Sequence, residues 1–419
     1  RNTYNVRFNA NKPETDGTVS GLNADINGVK YGAELSANAL ATPSLVGYTF
    51  KGYFKDIAGT GDAVTNKSTS LTAEANVTVN VYAKWEANTY TVHFNGNTPA
   101  GLTAADVKNV PSDLTATYDK ALGEIGDATA SGYTFAGWFT TATAGTKVTA
   151  TTKNLVASGE TTVYAHWTAK RYSVTLYTYL KVGDNAAALD TENVGGTVTG
   201  AGEVDFNKTT TITATAKAGY HFVAWFEGNG VSAQYSDKAS VSTANMTTSG
   251  LSYTALFEAN KYTVIFDAVS GKIGEETKVS KVLTYSIPYA CGSLLEELPT
   301  LAGYDFTFFT DKDGNEYKTS DNLTNLTTQN NGTVTLTANY AVHSNYTVKV
   351  SAEHGNAKIT QVNGDVLTTA VTEKAGVIYD KRVTVEATKV AGYHFDGWYT
   401  SGSKITGATE TYSFNMPAL

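Results

Sequence analysis

The chain is poor in the residues that staple or metallate small domains. It has one cysteine, Cys291, in 419 residues, so no disulfide can close within the chain and no cysteine-based zinc set exists. Its six histidines, His93, His166, His221, His343, His354 and His394, are scattered, without the i, i+4 or fixed-loop spacing that a metal needs. His221 and His394 occupy a variable place in a recurring phrase and read as solvent-facing strand residues. No serine lies in GxSxG, no P-loop occurs, and the pair Glu296–Glu297 has no partner acid, which leaves no catalytic constellation and no cofactor motif. Charged residues make up only 17% and the formal net charge is −8, which supplies no basic surface for counterion release and argues against nucleic acid as a partner. No run of eighteen apolar residues is present, so this segment holds no membrane span of the helical kind.

What the chain has in quantity is tyrosine (26) and glycine (38), the composition of strands and tight turns rather than of helices. These residues recur in order. "GYTFKGYFK" begins at Gly47, and "GYTFAGWFT", "GYHFVAWFE", "GYDFTFFTD" and "GYHFDGWYT" begin at Gly132, Gly219, Gly303 and Gly392. The intervals are 132−47 = 85, 219−132 = 87, 303−219 = 84 and 392−303 = 89 residues, each the size of a small domain. An alternating phrase opens every repeat, at Thr3, Thr89, Arg171, Lys261 and Asn345, and reads as a strand with one buried face. A third alternating phrase closes the first four, ending at Trp85, Trp167, Phe257 and Tyr340; the fifth repeat stops at Leu419 without it. The repeats are expected to span 1–87, 88–169, 170–259, 260–342 and 343–419. Linkers of four or five residues between closing and opening phrases cannot fold back over a domain, so a rod of five small domains is expected.

Repeats one, two and four carry segments of helical character before the glycine phrase. In "YACGSLLEELPTLAG", Leu294, Leu295 and Leu298 would share a helical face that Pro299 ends. Repeats three and five place alternating, strand-like segments there, as in Ile212/Ala214 and Val383/Val385. The expected class is mainly β with minor α.

A domain of some eighty-five residues must spend its largest rings on its own core. The expected core therefore holds Tyr48, Phe50 and Trp85 in repeat one; Tyr133, Phe135, Trp138 and Trp167 in repeat two; Tyr220, Phe222 and Trp225 in repeat three; Tyr304 and Phe306 in repeat four; and Tyr393, Phe395 and Trp398 in repeat five. The competing reading makes the aromatics a ligand platform, with Tyr177, Tyr179 and Tyr235 as additional exposed rings. Cys291 reads as a buried small hydrophobe. The ion candidate is the loop "DKDGNE", where Asp311, Asp313 and Asn315 surround a glycine as calcium loops do, although a tight hairpin asks for the same residues.

The order TYTVxFN, GYTFxGWxT, VYAxW resembles the Listeria–Bacteroides repeat family, the B-repeats of internalin-type bacterial surface proteins. Repeats three and five resemble its divergent branch, and repeat four, with "FTFF" where glycine and tryptophan would stand, departs most. The resemblance implies small β-grasp-like modules of secreted or surface-anchored proteins, with no catalytic residues to carry over. It implies a stalk or adhesive role, with other protein chains or host and cell-surface ligands as partners. Apart from the resemblance, two alternatives stand: a filament subunit that assembles by strand addition through its open ends, and a carbohydrate- or protein-binding module that uses exposed aromatics. The start "RNTY" resembles the internal junction "EANTY", so the sequence is expected to be a stretch of a longer protein. Without a closing phrase, repeat five is expected to show an unpaired strand edge, and Tyr412 to Phe414 to be poorly ordered if that edge frays.

Overall fold

The computed structural model describes residues 1–418. It is mainly β, 49% strand, and among the described residues there is no α-helix, which corrects the expected minor α content. The three segments with helical character turn their backbone donors outward to a neighbouring loop instead of inward to residue i−4. Leu35 and Ser36 donate to the carbonyls of Ser68 and Asn66, Leu122 and Gly123 to those of Thr152 and Ala150, and Cys291 and Gly292 to those of Asp321 and Thr319, at 2.8–3.1 Å. Once those N–H groups are bonded across to a loop, an α-helix has no ladder to build. Only a 3-10 turn, Cys291–Leu294, forms in repeat four. Leu295 is buried beyond it while Leu298 stays 43% exposed, so the three leucines do not share one face.

The chain divides into two compact units. One holds Arg1–Ser173, Glu203–Thr209 and Ala244–Gly250; the other holds Val174–Gly202, Thr210–Thr243 and the chain from Leu251 onward. The first contains two sheets built alike. In one, the opening strand Thr3–Asn9 runs parallel to the closing strand Thr78–Ala87, whose other edge takes the phrase strand Tyr48–Phe54 antiparallel. In the other, Thr89–Asn95, Gly159–Ala169 and Tyr133–Phe139 repeat that arrangement. The second unit has it twice more. There Lys261–Asp267, Gly332–Val342 and Tyr304–Thr310 form one set, and residues from Val174 in the opening strand of repeat three, Leu251–Ala259 and Tyr220–Glu227 form the other. A parallel pair needs a long crossover, and most of each of these four repeats is that crossover.

Alternation buries one face of the opening strand: in repeat one, Tyr4, Val6 and Phe8 are at most 5% exposed, whereas the opening strand of repeat five is only half-buried there. The phrase strand is less regular, because its pairing shifts register after Phe50, after Phe222, after Phe306, and opposite His166/Trp167. The extra residues Lys51, Ala136, Val223 and Thr307 are left unpaired, as at a β-bulge. The bulge turns rings three residues apart onto the same face. Phe50 packs on Tyr53, Phe135 on Trp138, Phe222 on Trp225 and Phe306 on Phe309, with ring centroids 4.8–6.0 Å apart. The second ring of each pair lies opposite an alanine of the closing strand, as Tyr53↔Ala83, Trp138↔Ala165, Trp225↔Ala255 and Phe309↔Ala338. Repeat four therefore keeps the bulge and the inward ring without glycine or tryptophan, with Phe309 fully buried in the tryptophan's place.

Repeat five is paired differently. Gly355–Val362, Asp365–Val371, Arg382–Lys389 and Thr411–Asn415 form a sheet, and Tyr346–Lys349 pairs with Glu373–Val377. Tyr412 and Phe414 are held in register opposite Val385 and Val383, so this stretch is an ordered strand rather than a frayed end.

Candidate functional site at the repeat junctions

The glycine that opens each phrase sits at the third position of a tight turn. Tyr48 donates its N–H to the Leu45 carbonyl, Tyr220 to Lys217, Tyr304 to Leu301 and Tyr393 to Val390, at 3.0–3.1 Å. The five glycines have φ of +79° to +90°, the left-handed conformation that this turn position requires. At four of them the bare backbone is also a seat for a ring from the following repeat. A Cβ on Gly47 would fall 2.2 Å from the Tyr118 ring, and one on Gly132, Gly219 or Gly303 would fall 2.3–2.4 Å from Phe206, Tyr285 or Tyr379.

The phrase tyrosine meets the same ring edge-on. Tyr48–Tyr118, Tyr133–Phe206, Tyr220–Tyr285 and Tyr304–Tyr379 have centroids 5.4–5.8 Å apart at 64–79°, a favoured arrangement for two quadrupoles. Two backbone hydrogen bonds close each junction. One residue of the short linker, Asn88, Lys170, Asn260 or His343, donates its N–H to the carbonyl of the phrase glycine at 2.9 Å. Its own carbonyl accepts from the N–H of the ring residue at 2.8–2.9 Å. The residue after each ring, Asp119, Asn207, Ser286 or Asp380, is left-handed with φ of +55° to +67°, which turns the chain away from the contact.

Polar side chains bind the rim. The Tyr48 hydroxyl donates to Asp119 Oδ2 at 2.8 Å, and Tyr133 to the Ala100 carbonyl at 3.0 Å, while Tyr220 Oη and Ser286 Oγ lie 2.7 Å apart. Burial first, and then the Asp119 hydrogen bond, push the Tyr48 phenol up to about 12. Asp119 is held below the usual carboxylate range, chiefly by the Asn154 side-chain amide at 2.6 Å. The phrase's third residue also reaches the linker: Thr49 to Asn88 at 2.6 Å, His221 to Asn260 at 2.8 Å, and Asp305 to His343 at 2.8 Å. His221 is thus a half-buried junction residue, which corrects its reading as solvent-facing; His394 is exposed but lies outside any strand.

Among the rings expected in the core, Trp138 (2% exposed) and Trp225 (0%) are buried. Phe50, Phe135, Phe222 and Phe306 pack against them or their counterparts, and Trp85 and Trp167 are half-buried with their indole N–H groups donating to Ala10 and Gly96 carbonyls. Phe395 and Trp398 are half-buried against each other. The phrase tyrosines are different. Tyr48, Tyr133 and Tyr220 are half-buried at the junctions, Tyr133 also packing against the core of its own repeat, whereas Tyr304 and Tyr393 are 38% and 52% exposed, which corrects the placement of these two in the core. Tyr48, Tyr133, Tyr220 and Tyr304 begin the phrase strand, where the neighbouring repeat supplies a ring, while Tyr393 stacks on His354 of its own repeat.

Sequence reading missed the ring donors. Their signal is an aromatic before a residue that tolerates left-handed backbone, in "YDK" at Tyr118 and Tyr379, "FNK" at Phe206 and "YSI" at Tyr285. Repeat one has a counterpart in Tyr31, 43% exposed, which donates its N–H to the Asn2 carbonyl at 2.8 Å and precedes left-handed Gly32. It also missed Tyr53 and Phe309, the inward rings of repeats one and four.

The rest of the surface offers little chemistry. The Asp311, Asp313 and Asn315 loop closes on itself. Asp311 Oδ1 accepts the N–H groups of Asp313 and Asn315, and its Oδ2 accepts the Asn315 amide and the Tyr317 hydroxyl, at 2.8–3.0 Å. Those bonds, the Asn315 side chain first, hold the Asp311 carboxyl down to about 2. Asp313 pairs instead with Lys312, so the expected calcium ligands do not converge, and among the described residues no three His, Cys, Asp or Glu are grouped to hold a metal. Cys291 is fully buried, which pushes its thiol up to about 11, far from a reactive thiolate. A cleft of about 470 Å³ lies beside Trp138, but the indole is buried and donates to Gly126, so it presents no stacking face. Tyr177 and Tyr179 are half-buried; Tyr235 packs on Tyr253 and donates to the Ser242 carbonyl. No helix is long and apolar enough to cross a membrane, among the described residues.

Comparison with known proteins agrees with the repeat pattern. Residues 4–84 and 90–166 match the Listeria-Bacteroides repeat domain, and residues 188–261 and 346–419 match the divergent InlB B-repeat domain, leaving the fourth repeat between the matched spans. A Gly-rich membrane protein of Evansella cellulosilytica is 24% identical over 87% of this chain and 36% of its own length. Internalin H of Listeria monocytogenes is 30% identical over 34% of this chain and 24% of its own length. The chain thus spans about a third or less of these two relatives. The Bacillus anthracis TIE protein is similar over 81% of this chain and 68% of its own, at 13% identity and a TM-score of 0.28, too distant to argue fold from. Three recurrent phrases and these matches converge: the chain belongs to the Listeria–Bacteroides repeat family of bacterial surface proteins, its divergent InlB B-repeat branch included.

Proposed function

We propose that the chain is an extracellular, non-catalytic spacer that holds other parts of a bacterial surface protein away from the cell, as five β-grasp-like modules in an elongated series. The observation that carries this reading is the junction itself, formed four times with the same ring, glycine seat and two backbone hydrogen bonds. A flexible tether needs no such contact; a stiff one does. The short linkers bring neighbours within reach, and the junction fixes their mutual orientation. The family's membership among bacterial surface proteins and the absence of a catalytic constellation from the sequence support the same role.

The experiment separates spacing from adhesion. The repeats are replaced, in the surface protein that carries them, by an unrelated rigid array of equal length, and cell adherence is measured. Restored adherence supports the spacer; adherence that stays lost would show that these repeats bind the ligand themselves. Small-angle scattering of the wild-type chain should give an extended profile, and a compact one would sink the proposal.

A further inference from the structure

In four sheets the first and last strands of the repeat lie side by side. The opening and closing strands are parallel neighbours, with five register pairs in repeat one, six in repeat two, eight in repeat three and six in repeat four. Single residues, Asn88, Lys170 and Asn260, separate the first three closing strands from the next opening strand. Tension along the chain therefore enters a repeat at the start of its opening strand and leaves it at the end of its closing strand.

Parallel order decides how that load is carried. Entry and exit lie at opposite ends of the pair, so the strands are drawn lengthwise past each other and the evenly spaced ladder bonds share the load. An antiparallel pair, entered and left at one end, would open bond by bond. The core resists the same movement. Val6 with Val81 and Ala83, and Val92 with Val163 and Ala165, are at most 1% exposed. After a slip of one residue the ladder could re-form only with these side chains on the opposite face. A slip of two would carry a valine or tryptophan into the alanine's place opposite Tyr53 or Trp138.

Side chains prolong the pair beyond its last register position. Just past the opening strand, Asn11 and Asn97, both left-handed with φ of +43°, donate their amide N–H groups to the carbonyls of Ala83 and Ala165 on the closing strand, at 2.9 and 2.8 Å. Closing-strand rings answer in the other direction. Trp85 and Trp167 donate their indole N–H groups, and Tyr340 its hydroxyl, to the carbonyls of Ala10, Gly96 and Ala268 at 2.8–3.0 Å.

We infer that repeats one to four are load-bearing modules, each a shear clamp made of its own opening and closing strands and, in repeats one and two, locked by the asparagine amide. The clamp is a property of strand order within a repeat and does not depend on the spacer role. A compact scattering profile would sink that role and leave the clamp standing.

An optical trap tests the direction of loading in the full chain. Handles are joined to cysteines introduced at exposed positions of repeat two, Thr89→Cys with Thr168→Cys in one variant and Thr89→Cys with Ala157→Cys in the other. Cys291 is fully buried and takes no handle. The first pair of handles pulls the parallel strands from opposite ends, while the second pulls both from the end at Tyr90 and Gly159. Repeat two should rupture at a force at least about twofold higher in the first geometry, a readout set by the unfolding barrier along the pulling direction. A smaller ratio would overturn the assignment. Asn97→Ala should lower the force in the first geometry and leave the second unchanged, because the second opens the ladder from the end away from Asn97. An equal effect in both geometries, or none in either, would overturn the role of Asn97 as a lock.

Discussion

Two glycines in the same backbone conformation separate strain from contact. Gly132 and Gly392 have φ of +79° and +90°, but a Cβ on Gly132 would strike the Phe206 ring at 2.3 Å, while one on Gly392 would meet nothing within 4 Å. Gly392→Ala should therefore cost only the left-handed conformation, roughly 1–2 kcal/mol. Gly132→Ala should cost that and about 1–3 kcal/mol more of overpacking. Denaturant unfolding checks the difference, and equal losses would mean that Phe206 yields freely. A second residue-scale consequence concerns pH. Asp119 is depressed below its ordinary value of 3.8, so it stabilises the first junction fully above that value, and the contribution is lost as pH falls through the lower folded value. Tyr48 is raised from 10.0 to about 12, so its contribution is present below pH 10 and is lost as pH rises through about 12. Exchange of the Tyr118 amide should accelerate, relative to intrinsic rates, at both extremes. In Tyr48→Phe the alkaline sensitivity should disappear, and its persistence would point to another titrating group.

At the scale of the element, the phrase strand carries the core through its bulge. Trp138→Ala should destabilise repeat two by about 3–5 kcal/mol, as truncations of buried tryptophan do, while amides in repeat four keep their protection. Protection lost equally in repeat four would show that the repeats share one cooperative transition. The strand itself was legible in the sequence because tyrosine and phenylalanine alternate before the glycine, and the closing strand because Val81, Ala83 and Trp85 do the same. The bulge was less legible: in repeats three and four its place is taken by Val223–Ala224 and Thr307–Phe308, which announce no irregularity. The helices were misread for a tertiary reason. The leucine spacing of Leu294 to Leu298 fits a helix, but the loop at Thr319–Asp321 claims the backbone donors of Cys291 and Gly292, a bond between residues some twenty-seven apart that no local pattern records. The junction was half legible. The glycines and tyrosines recur visibly, but what makes them interface residues is a ring some seventy residues later, whose only local mark is the left-handed residue behind it.

For the whole molecule, the proposed spacer role expects coupling between neighbouring repeats and independence beyond them. A series in which each repeat touches only the next should have a stability that sums over repeats and nearest-neighbour contacts. Double-mutant cycles in the full chain test this directly. Tyr220 and Tyr285 share one junction, with ring centroids 5.4 Å apart, so Tyr220→Ala combined with Tyr285→Ala should show a coupling energy of roughly 0.5–1.5 kcal/mol. Tyr220→Ala combined with Tyr379→Ala touches two separate junctions, because Tyr379 packs on Tyr304, and the two losses should add within about 0.5 kcal/mol. Calorimetric unfolding of the four variants supplies the energies. Coupling of similar size in both cycles would mean that strain passes through the body of repeat four, and the chain would then be a single cooperative structure rather than a linear array.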